Sequence, residues 1–210
     1  HSKVAMIFDW DNWWSTELSS GPSKDLHYLD TVVKYYKPFF ERNIVVDIVP
    51  TDGDFDKYDV LVAPLLYMIK PGVDEKINRF IQKGGTFLTT VFSGIVDEND
   101  RVTLGGYPGK LSNALGIWVE ETDALFPQEH NTILPNGTLP EMQASYSCGL
   151  LCDVIHPQTA EPLAVYGSDF YSGVPCVTRN RFGEGTAYYI GTEPSDEFLR
   201  DFVAVLAREK

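Results

Sequence analysis

The sequence has few cysteines: Cys148, Cys152 and Cys176 are the only three among 210 residues. An odd and low count excludes the disulfide framework of small secreted proteins and favours a reducing compartment. We therefore expect a cytoplasmic location. The spacings of cysteine and histidine match no four-ligand zinc pattern, so no metal is expected either.

Long apolar runs, basic residues and nucleotide-binding loops are also missing. No apolar run reaches the roughly 18 residues of a membrane-spanning helix, and no secretory signal is visible at the start. The 17 lysine and arginine residues are outnumbered by 30 acidic ones, and the net charge of -13 repels a phosphate backbone. The glycine-rich segment 105–109 lacks the Lys-Ser/Thr pair of a phosphate-binding loop. We therefore expect no cofactor and no partnership with nucleic acid or membrane.

Apolar residues are plentiful enough for a large core, because 43% of the residues are hydrophobic and only 22% are charged. In the first half, strands are predicted at residues 3–8, 44–49, 60–63 and 86–92, and the first and third of these are short apolar runs. Helical periodicity predicts helices at residues 25–42 and 71–83, and Pro38 is expected to kink the first of them or to start a new turn. The predicted buried face of that first helix consists of Leu26, Leu29, Val33, Tyr36 and Phe40.

The alternation of strands and helices predicts a mainly parallel sheet covered on both faces, with a flavodoxin-like order in which the first strand is central. The second half is β-rich: after a loop-rich segment at residues 95–143, strands are predicted at residues 160–165, 175–180 and 185–190. Residues 182–185 predict a hairpin turn, and Ser195 is expected to cap a final helix. We assign residues 3–208 to a single α/β domain and interpret His1-Ser2 as a possible remnant of cloning.

The first predicted strand ends in Asp9-Trp10-Asp11, which resembles the Asp-x-Asp motif of haloacid-dehalogenase-type phosphatases. In those enzymes the first aspartate attacks phosphorus and the second acts as acid and base. Trp13 stands where that family usually has threonine or valine, and no Gly-Asp pair follows a later strand. The alternative interpretation is that Asp9 and Asp11 hydrogen-bond the backbone of the turn after the strand.

Class I glutamine amidotransferases share the predicted sheet order and place a nucleophilic cysteine on a sharp turn after a central strand, with histidine and glutamate near the end of the chain. The matching turn here, residues 91–94, has no cysteine. Ser93 is a candidate nucleophile for an amidotransferase-like hydrolase, although no histidine lies near it in sequence. Glu193 remains at the later strand end, but its histidine is absent.

Three tryptophans, Trp10, Trp13 and Trp14, lie within five residues of what we predict to be a loop. Such a group does not fit easily into one core, and tryptophan is enriched at protein interfaces, where its N–H group can find a partner. One or two core tryptophans, an interface, or stacking on a sugar ring are the interpretations that the sequence leaves open.

Several segments together resemble the middle domain of the glycoside hydrolase family 42 β-galactosidases. They are VAMIFDWDNWW from Val4, YDVLVAPLLYMI from Tyr58, GGTFLTTVFSGIVDENDRVTLGGYPGKL from Gly84 and LGIWVEETDAL from Leu115. The resemblance covers roughly residues 3–206, and its most specific part is the long loop that follows Phe92.

The resemblance implies an amidotransferase-like, three-layer fold without catalytic residues, which assembles the enzyme as a homotrimer. The retaining hydrolysis of terminal β-D-galactosides then belongs to two glutamates of a (β/α)8 barrel, and a barrel needs about 250 residues of its own. No residue of this chain is therefore expected to be catalytic.

A three-fold ring brings one surface of a subunit against a different surface of the next one, and such surfaces favour buried aromatic residues. We expect residues 9–14 and the loop 92–111 to lie together at the edge of the sheet, facing a neighbouring subunit or a barrel, where they help to wall the neighbouring active site. The candidate residues are Asp9, Trp10, Asp11, Asn12, Trp13, Trp14, Phe92 and Tyr107.

Overall fold

The computed structural model describes residues 2–19 and 21–208 and, within them, one mixed sheet of eleven strands with helices on both faces. The strands are β1 (Val4–Ile7), β2 (Val46–Val49), β3 (Val60–Ala63), β4 (Thr86–Thr90), β5 (Ile117–Ala124), β6 (Asn131–Pro135), β7 (Tyr146–Pro157), β8 (Glu161–Tyr166), β9 (Pro175–Phe182), β10 (Gly185–Ile190) and β11 (Thr192–Pro194). The helices are α1 (Trp10–Leu18), α2 (Tyr28–Glu41), α3 (Val73–Gln82), α4 (Ser112–Leu115) and α5 (Asp196–Arg208).

Five neighbouring strands form the parallel part of the sheet, in the order β2, β1, β3, β4, β10. The four strands predicted in the first half are confirmed, with ends that differ by at most two residues. Beyond β4 the chain turns sharply, and Phe92 adopts a left-handed backbone with φ of 64°. Side chains that follow β1, β3 and β4 therefore meet at one edge, as the carboxyl ends of parallel strands do.

The second half extends the same sheet with antiparallel strands. Strand β10 pairs with β9 through the predicted hairpin, in which Phe182 faces Gly185. Strands β8, β6 and β7 follow, and β7 pairs with both β11 and β5. The sequence did not predict β6, β7 or β11, because β7 changes partners and register along its length, so its burial follows no simple alternation.

Two hydrophobic cores lie on the two faces of the sheet. In β1, Val4 and Met6 belong to the core beneath α2 and α5, whereas Ala5 and Ile7 belong to the core beneath α3 and α4. This explains why the central strands are continuous apolar runs rather than alternating ones. Among the described residues, no helix has the length and the apolar character that crossing a bilayer requires.

Helix α2 buries a different face from the predicted one. Its buried side chains include Tyr28, Val32, Tyr35 and Phe39, each one residue before a predicted position within the helix. Leu26, which precedes the helix, is buried as predicted. The predicted positions Leu29, Val33 and Phe40 are 40%, 55% and 65% exposed. The sequence prediction was wrong because both faces are apolar and give the same periodicity. The helix also continues through Pro38 to Glu41.

The outward face of α2 therefore carries a row of apolar side chains, which we call the outer stripe of α2: Leu29, Val33, Tyr36 and Phe40. Tyr36 is partly buried and also packs against the core. The rings of Tyr36 and Phe40 stack with their centroids 6.1 Å apart. Strand β2 forms one edge of the sheet, where Ile48 is also exposed.

Candidate functional site

Residues 10–18, which the sequence placed largely in a loop, form helix α1. Asp9 follows β1 and caps the helix, because its Oδ1 accepts a hydrogen bond of 2.8 Å from the backbone N–H of Asn12. A carboxylate at this position satisfies a backbone donor that the first turn leaves free. The interpretation of Asp9 as a backbone-bonding residue is confirmed.

The two aspartates of the Asp-x-Asp motif share one counterion, Lys70. Its Nζ lies 2.7 Å from Oδ2 of Asp9 and 2.7 Å from Oδ2 of Asp11. Burial alone would lower the pKa of Lys70, but its hydrogen bonds to Asp11 and Asp9 raise that pKa overall. The hydroxyl of Thr51 also donates to Asp9 at 3.1 Å.

The contacts of Asp9 and Asp11 do not support the interpretation of this motif as the site of a phosphatase. Both carboxylate oxygens of Asp9 are engaged, and its side chain is almost fully buried. In the part of the chain that the structure describes, no group of three or more His, Cys, Asp or Glu side chains is placed to hold a metal ion. The pair Asp9 and Asp11 therefore has the arrangement of a structural ion pair.

We expect Lys70→Ala to lower the free energy of unfolding by about 2 kcal/mol, because the buried carboxylate of Asp9 loses its cation. Urea unfolding monitored by circular dichroism measures this. The matched control is Lys83→Ala, which removes an exposed ion pair with Asp56 and should cost at most about 0.5 kcal/mol. Equal effects in the two variants would contradict the structural role of Lys70.

Asn12 fixes α1 to the segment after β3. Its side chain is fully buried, and its Nδ2 donates to the carbonyl of Leu65 at 2.9 Å while its Oδ1 accepts from the N–H of Met68 at 2.8 Å. Leu65 has a left-handed backbone with φ of 45°, so the carbonyl belongs to a sharp turn. Asn12 is therefore a positioning residue beneath the surface and not part of the exposed site.

The tryptophans form a surface that we call the tryptophan face: Trp10, Trp13 and Trp14. Trp10 and Trp14 are 57% and 54% exposed, whereas Trp13 is partly buried and packs against the core. Trp10 stacks on Trp13 with a centroid distance of 5.3 Å, and both rings meet the edge or face of Phe8. Trp14 lies against Trp10 with a centroid distance of 6.2 Å, so each of the two exposed rings contacts another aromatic ring.

An open cleft of about 460 Å³ lies between helix α1, the loop 92–111 and the segment after β3. The helix and the loop are joined by a hydrogen bond from the hydroxyl of Ser15 to the carboxylate of Asp100. The lining residues are Asp11, Trp14, Ser15, Leu18, Ser19, Tyr67, Met68, Glu98 and Asp100. Aromatic rings beside carboxylates and hydroxyls can stack on a sugar ring and accept hydrogen bonds from its hydroxyl groups.

Phe92 and Ser93 lie beneath this surface. Phe92 is only 8% exposed and stacks on Tyr67 at 4.6 Å, so it supports the cleft from below. Ser93 is fully buried; its Oγ accepts from the N–H of Leu66 at 3.0 Å and hydrogen-bonds the hydroxyl of Thr89 at 2.9 Å. These contacts leave it no nucleophilic role. Tyr107 packs against the core on the other side of the sheet.

The sequence did not identify several residues of this region. Lys70 and Tyr67 were not among the candidate residues, and only the chain's return to the sheet edge brings them to α1. Glu98 lies in the loop 92–111, which was predicted to lie beside residues 9–14, but it was not identified as a candidate residue. The sequence does contain a signal for Lys70. It is a cation that follows an apolar strand, and carboxylates follow a neighbouring strand, so an ion pair at that edge of the sheet is expected.

A second buried polar centre lies within the sheet, around Asp153 on β7. Its carboxylate accepts hydrogen bonds from Tyr189 and Thr122, both at 2.6 Å. Burial raises the pKa of Asp153 to about 7, although these two hydrogen bonds act in the opposite direction. Because Asp153 is fully enclosed, its effect is on stability rather than on binding.

Comparisons with known proteins agree with one another. Residues 2–210 match the sequence profile of the β-galactosidase trimerisation domain. A β-galactosidase of Planococcus sp. strain SOS Orange is 52% identical over 209 residues, which is 100% of this chain and 31% of that protein. A β-galactosidase of Lactobacillus acidophilus is 50% identical over 191 residues, or 91% of this chain and 28% of that protein.

Solved structures give the same result. The β-galactosidase of Bacillus circulans sp. alkalophilus superimposes with a TM-score of 0.97 at 52% identity, covering 99% of this chain and 31% of that one. This chain thus spans about a third of the length of the relatives that it matches. It belongs to the family of β-galactosidase trimerisation domains, the non-catalytic middle domain of glycoside hydrolase family 42.

Proposed function

We propose that this chain assembles its parent β-galactosidase as a homotrimer, and that the parent hydrolyses terminal β-D-galactosides in a barrel domain outside this chain. Residues 3–208 act as a single domain in this assembly. The observation that carries the proposal is the match to a trimerisation domain, together with exposed apolar side chains on two helices, α1 and α2.

Two different surfaces are what a ring of three subunits requires. In a closed ring, each subunit offers one surface to the neighbour on its left and another to the neighbour on its right. The tryptophan face and the outer stripe of α2 are two such surfaces, on different helices. Both carry aromatic rings held by stacking, which lowers the entropy lost on binding.

The cleft beside α1 gives the tryptophan face a second role, as a wall of the neighbouring subunit's active site. Trp14 offers a ring for stacking, and Glu98 and Asp100 offer carboxylates to sugar hydroxyl groups. The residues proposed to act there or at the interface are Asp9, Trp10, Asp11, Asn12, Trp13, Trp14, Phe92 and Tyr107. Of these, Asp9, Asn12 and Phe92 are buried and act from beneath, and Tyr107 acts from the other face of the sheet.

We also infer that the fold is flavodoxin-like and related to that of class I glutamine amidotransferases. The strand order β2, β1, β3, β4, β10 supports this, since it places the first strand between the second and the third. The left-handed backbone at Phe92 supports it as well, because that turn follows the strand after which an amidotransferase would carry its cysteine. Three free thiols are consistent with a cytoplasmic location.

The solution mass of the isolated chain tests the proposal, measured by light scattering over a concentration series. We expect a mass near three times 23.6 kDa. The double variant Trp10→Ala/Trp14→Ala and the double variant Val33→Asp/Phe40→Asp should each dissociate to monomers with unchanged circular dichroism. The control is Phe170→Ala, which removes an exposed ring from the antiparallel half and should leave the trimer intact.

A mass of 23.6 kDa at every concentration would overturn the claim that this domain is sufficient for assembly. Trimers that persist in both double variants would show that the two surfaces are not the interface.

A further inference from the structure

The segment that leaves β6 contains Asn136-Gly137, the only place in the sequence where glycine follows asparagine. Asn136 is exposed and comes directly after the last residue of β6. Gly137 has a left-handed backbone with φ of 86°, and nothing lies within 4 Å of the position where its side chain would begin. The backbone nitrogen of Gly137 is therefore not shielded by a side chain of its own residue.

The side chain of Asn136 is held over the peptide bond that follows it. Its Oδ1 accepts a hydrogen bond of 3.0 Å from the N–H of Thr138, two residues further on. Its Nδ2 donates to the carbonyl of Pro162 at 2.7 Å. An asparagine that bonds the backbone two residues on closes a small turn of its own, which brings its Cγ next to the nitrogen between them, that of Gly137.

This arrangement favours attack by the nitrogen of Gly137 on Cγ of Asn136. Within the described residues, the backbone N–H of Gly137 has no hydrogen-bond acceptor, so no partner has to be given up. The N–H of Thr138 points at the oxygen that becomes negative when the nitrogen adds to Cγ, and a donor placed there stabilises that charge. The turn thus supplies both the position and the electrostatic support for ring closure.

Asn131, at the start of β6, provides a contrast within the same segment. It is buried, and its Oδ1 accepts from the N–H of Thr132 at 2.7 Å and from the hydroxyl of Ser168 at 2.8 Å. The nitrogen that would attack is therefore already engaged, and the β-branched side chain of Thr132 crowds it. We expect Asn131 to remain unmodified in the folded chain.

We propose that Asn136 is a site of spontaneous deamidation, at which the folded chain converts this asparagine into aspartate and isoaspartate. The nitrogen of Gly137 loses its proton and bonds to Cγ of Asn136, the Cγ–Nδ2 bond breaks, and Nδ2 takes up a proton and leaves as ammonia. The product is a cyclic imide, which one water molecule opens at either of its two carbonyl groups. Each conversion consumes one water and releases one ammonia, with no oxidation or reduction.

The conversion changes the contacts where β6 meets β8. A carboxylate has no hydrogen to donate, so the carbonyl of Pro162 loses its partner and faces a new negative charge. In isoaspartate the main chain also runs through the former side chain, directly after the hydrogen bond of 3.0 Å from the N–H of Asn136 to the carbonyl of Leu163. The modification therefore weakens the end of the pairing between β6 and β8 in older molecules.

Peptide mapping of the aged chain tests the proposal. The folded chain is incubated at mildly alkaline pH and then digested with a glutamate-specific protease, and a digest without incubation serves as the blank. Cleavage after Glu129 and Glu141 releases residues 130–141, which contain both Asn131 and Asn136. Mass spectrometry detects the exchange of –NH2 for –OH, and fragment ions assign it to one residue. The reference is a synthetic peptide of residues 130–141 under the same conditions.

We expect Asn136 to convert at least as fast in the folded chain as in the peptide, while Asn131 stays intact in the folded chain. Asn136→Gln should show no conversion and unchanged circular dichroism, because its longer side chain would have to close a larger ring. Slower conversion in the folded chain than in the peptide would show that the fold protects Asn136, and the proposal is then wrong. Equal conversion of Asn131 and Asn136 in the folded chain would also overturn it. The wild-type map decides the question even if the variant fails to fold.

Discussion

Asp153→Asn is expected to flatten the dependence of stability on pH. Asp153 is buried, and its pKa in the folded chain is about 7, against a reference value of 3.8. The folded state therefore holds this proton more tightly than the unfolded state does. Its contribution to stability is fully present below about pH 3.8 and is lost as the pH rises through about 7.

The size of this effect follows from the shift. A shift of about three pKa units corresponds to a loss of about 4 kcal/mol between the acidic and the alkaline limits. Roughly 2 kcal/mol of that loss falls between about pH 5.5 and about pH 8.5, a range that avoids precipitation near the isoelectric point of about 4.6. An asparagine does not ionise, and its amide can still hydrogen-bond the hydroxyls of Tyr189 and Thr122.

Urea unfolding at the two pH values measures the prediction. Between pH 5.5 and 8.5, the free energy of unfolding of Asp153→Asn should rise by about 2 kcal/mol relative to that of the wild type. The control is Asp52→Asn, which removes an exposed carboxylate after β2 and should show no such change. If the free energy of unfolding changes with pH to the same extent in the wild type and in Asp153→Asn, then Asp153 is ionised throughout this range.

Asn12→Ala is expected to lower the free energy of unfolding by about 3 kcal/mol. The alanine leaves the carbonyl of Leu65 and the N–H of Met68 buried without their partner, and each unpaired buried group costs about 1–3 kcal/mol. The loss should be accompanied by weaker protection of the Met68 amide in hydrogen exchange, because that amide is the donor.

The matched control lies one turn further along the same helix. Thr16 is also buried, but its hydroxyl donates only to the carbonyl of Asn12 within α1, at 2.7 Å. Thr16→Ala should therefore cost about 1 kcal/mol or less, since the carbonyl keeps its place in the helix. Equal costs for the two variants would show that Asn12 does not join α1 to the segment after β3.

The sequence correctly predicted the strands that are buried on both faces of the sheet. Strands β1 and β3 are short apolar runs, and β4 and β10 are rich in β-branched and aromatic residues, so these segments favour buried strands. It was uninformative for β7, where a bulge and a change of partner break the alternation. It misled for α2, where the apolar residues of the outward face gave a second, equally periodic pattern.

The candidate site was predictable only in part. The cap at Asp9 and the exposure of two of the three tryptophans follow from residue chemistry, because a carboxylate favours a helix start and three indoles crowd a core. The helical form of residues 10–18 was missed, because aromatic residues are weak helix formers. Lys70 and Asn12 act across long sequence separations, so their partners become apparent only in the folded chain.

The position of β10 has a consequence for how the chain folds during synthesis. Strand β10 completes the parallel part of the sheet, and Thr186 pairs with Thr86, far earlier in the chain. At the usual rate of about 5–20 residues per second, β4 is synthesised roughly 5–20 seconds before β10. During that interval β4 is an open strand edge, which can pair with other chains unless it is shielded. The yield of folded protein in a cell then depends on which group covers the edge of β4 until β10 has been synthesised.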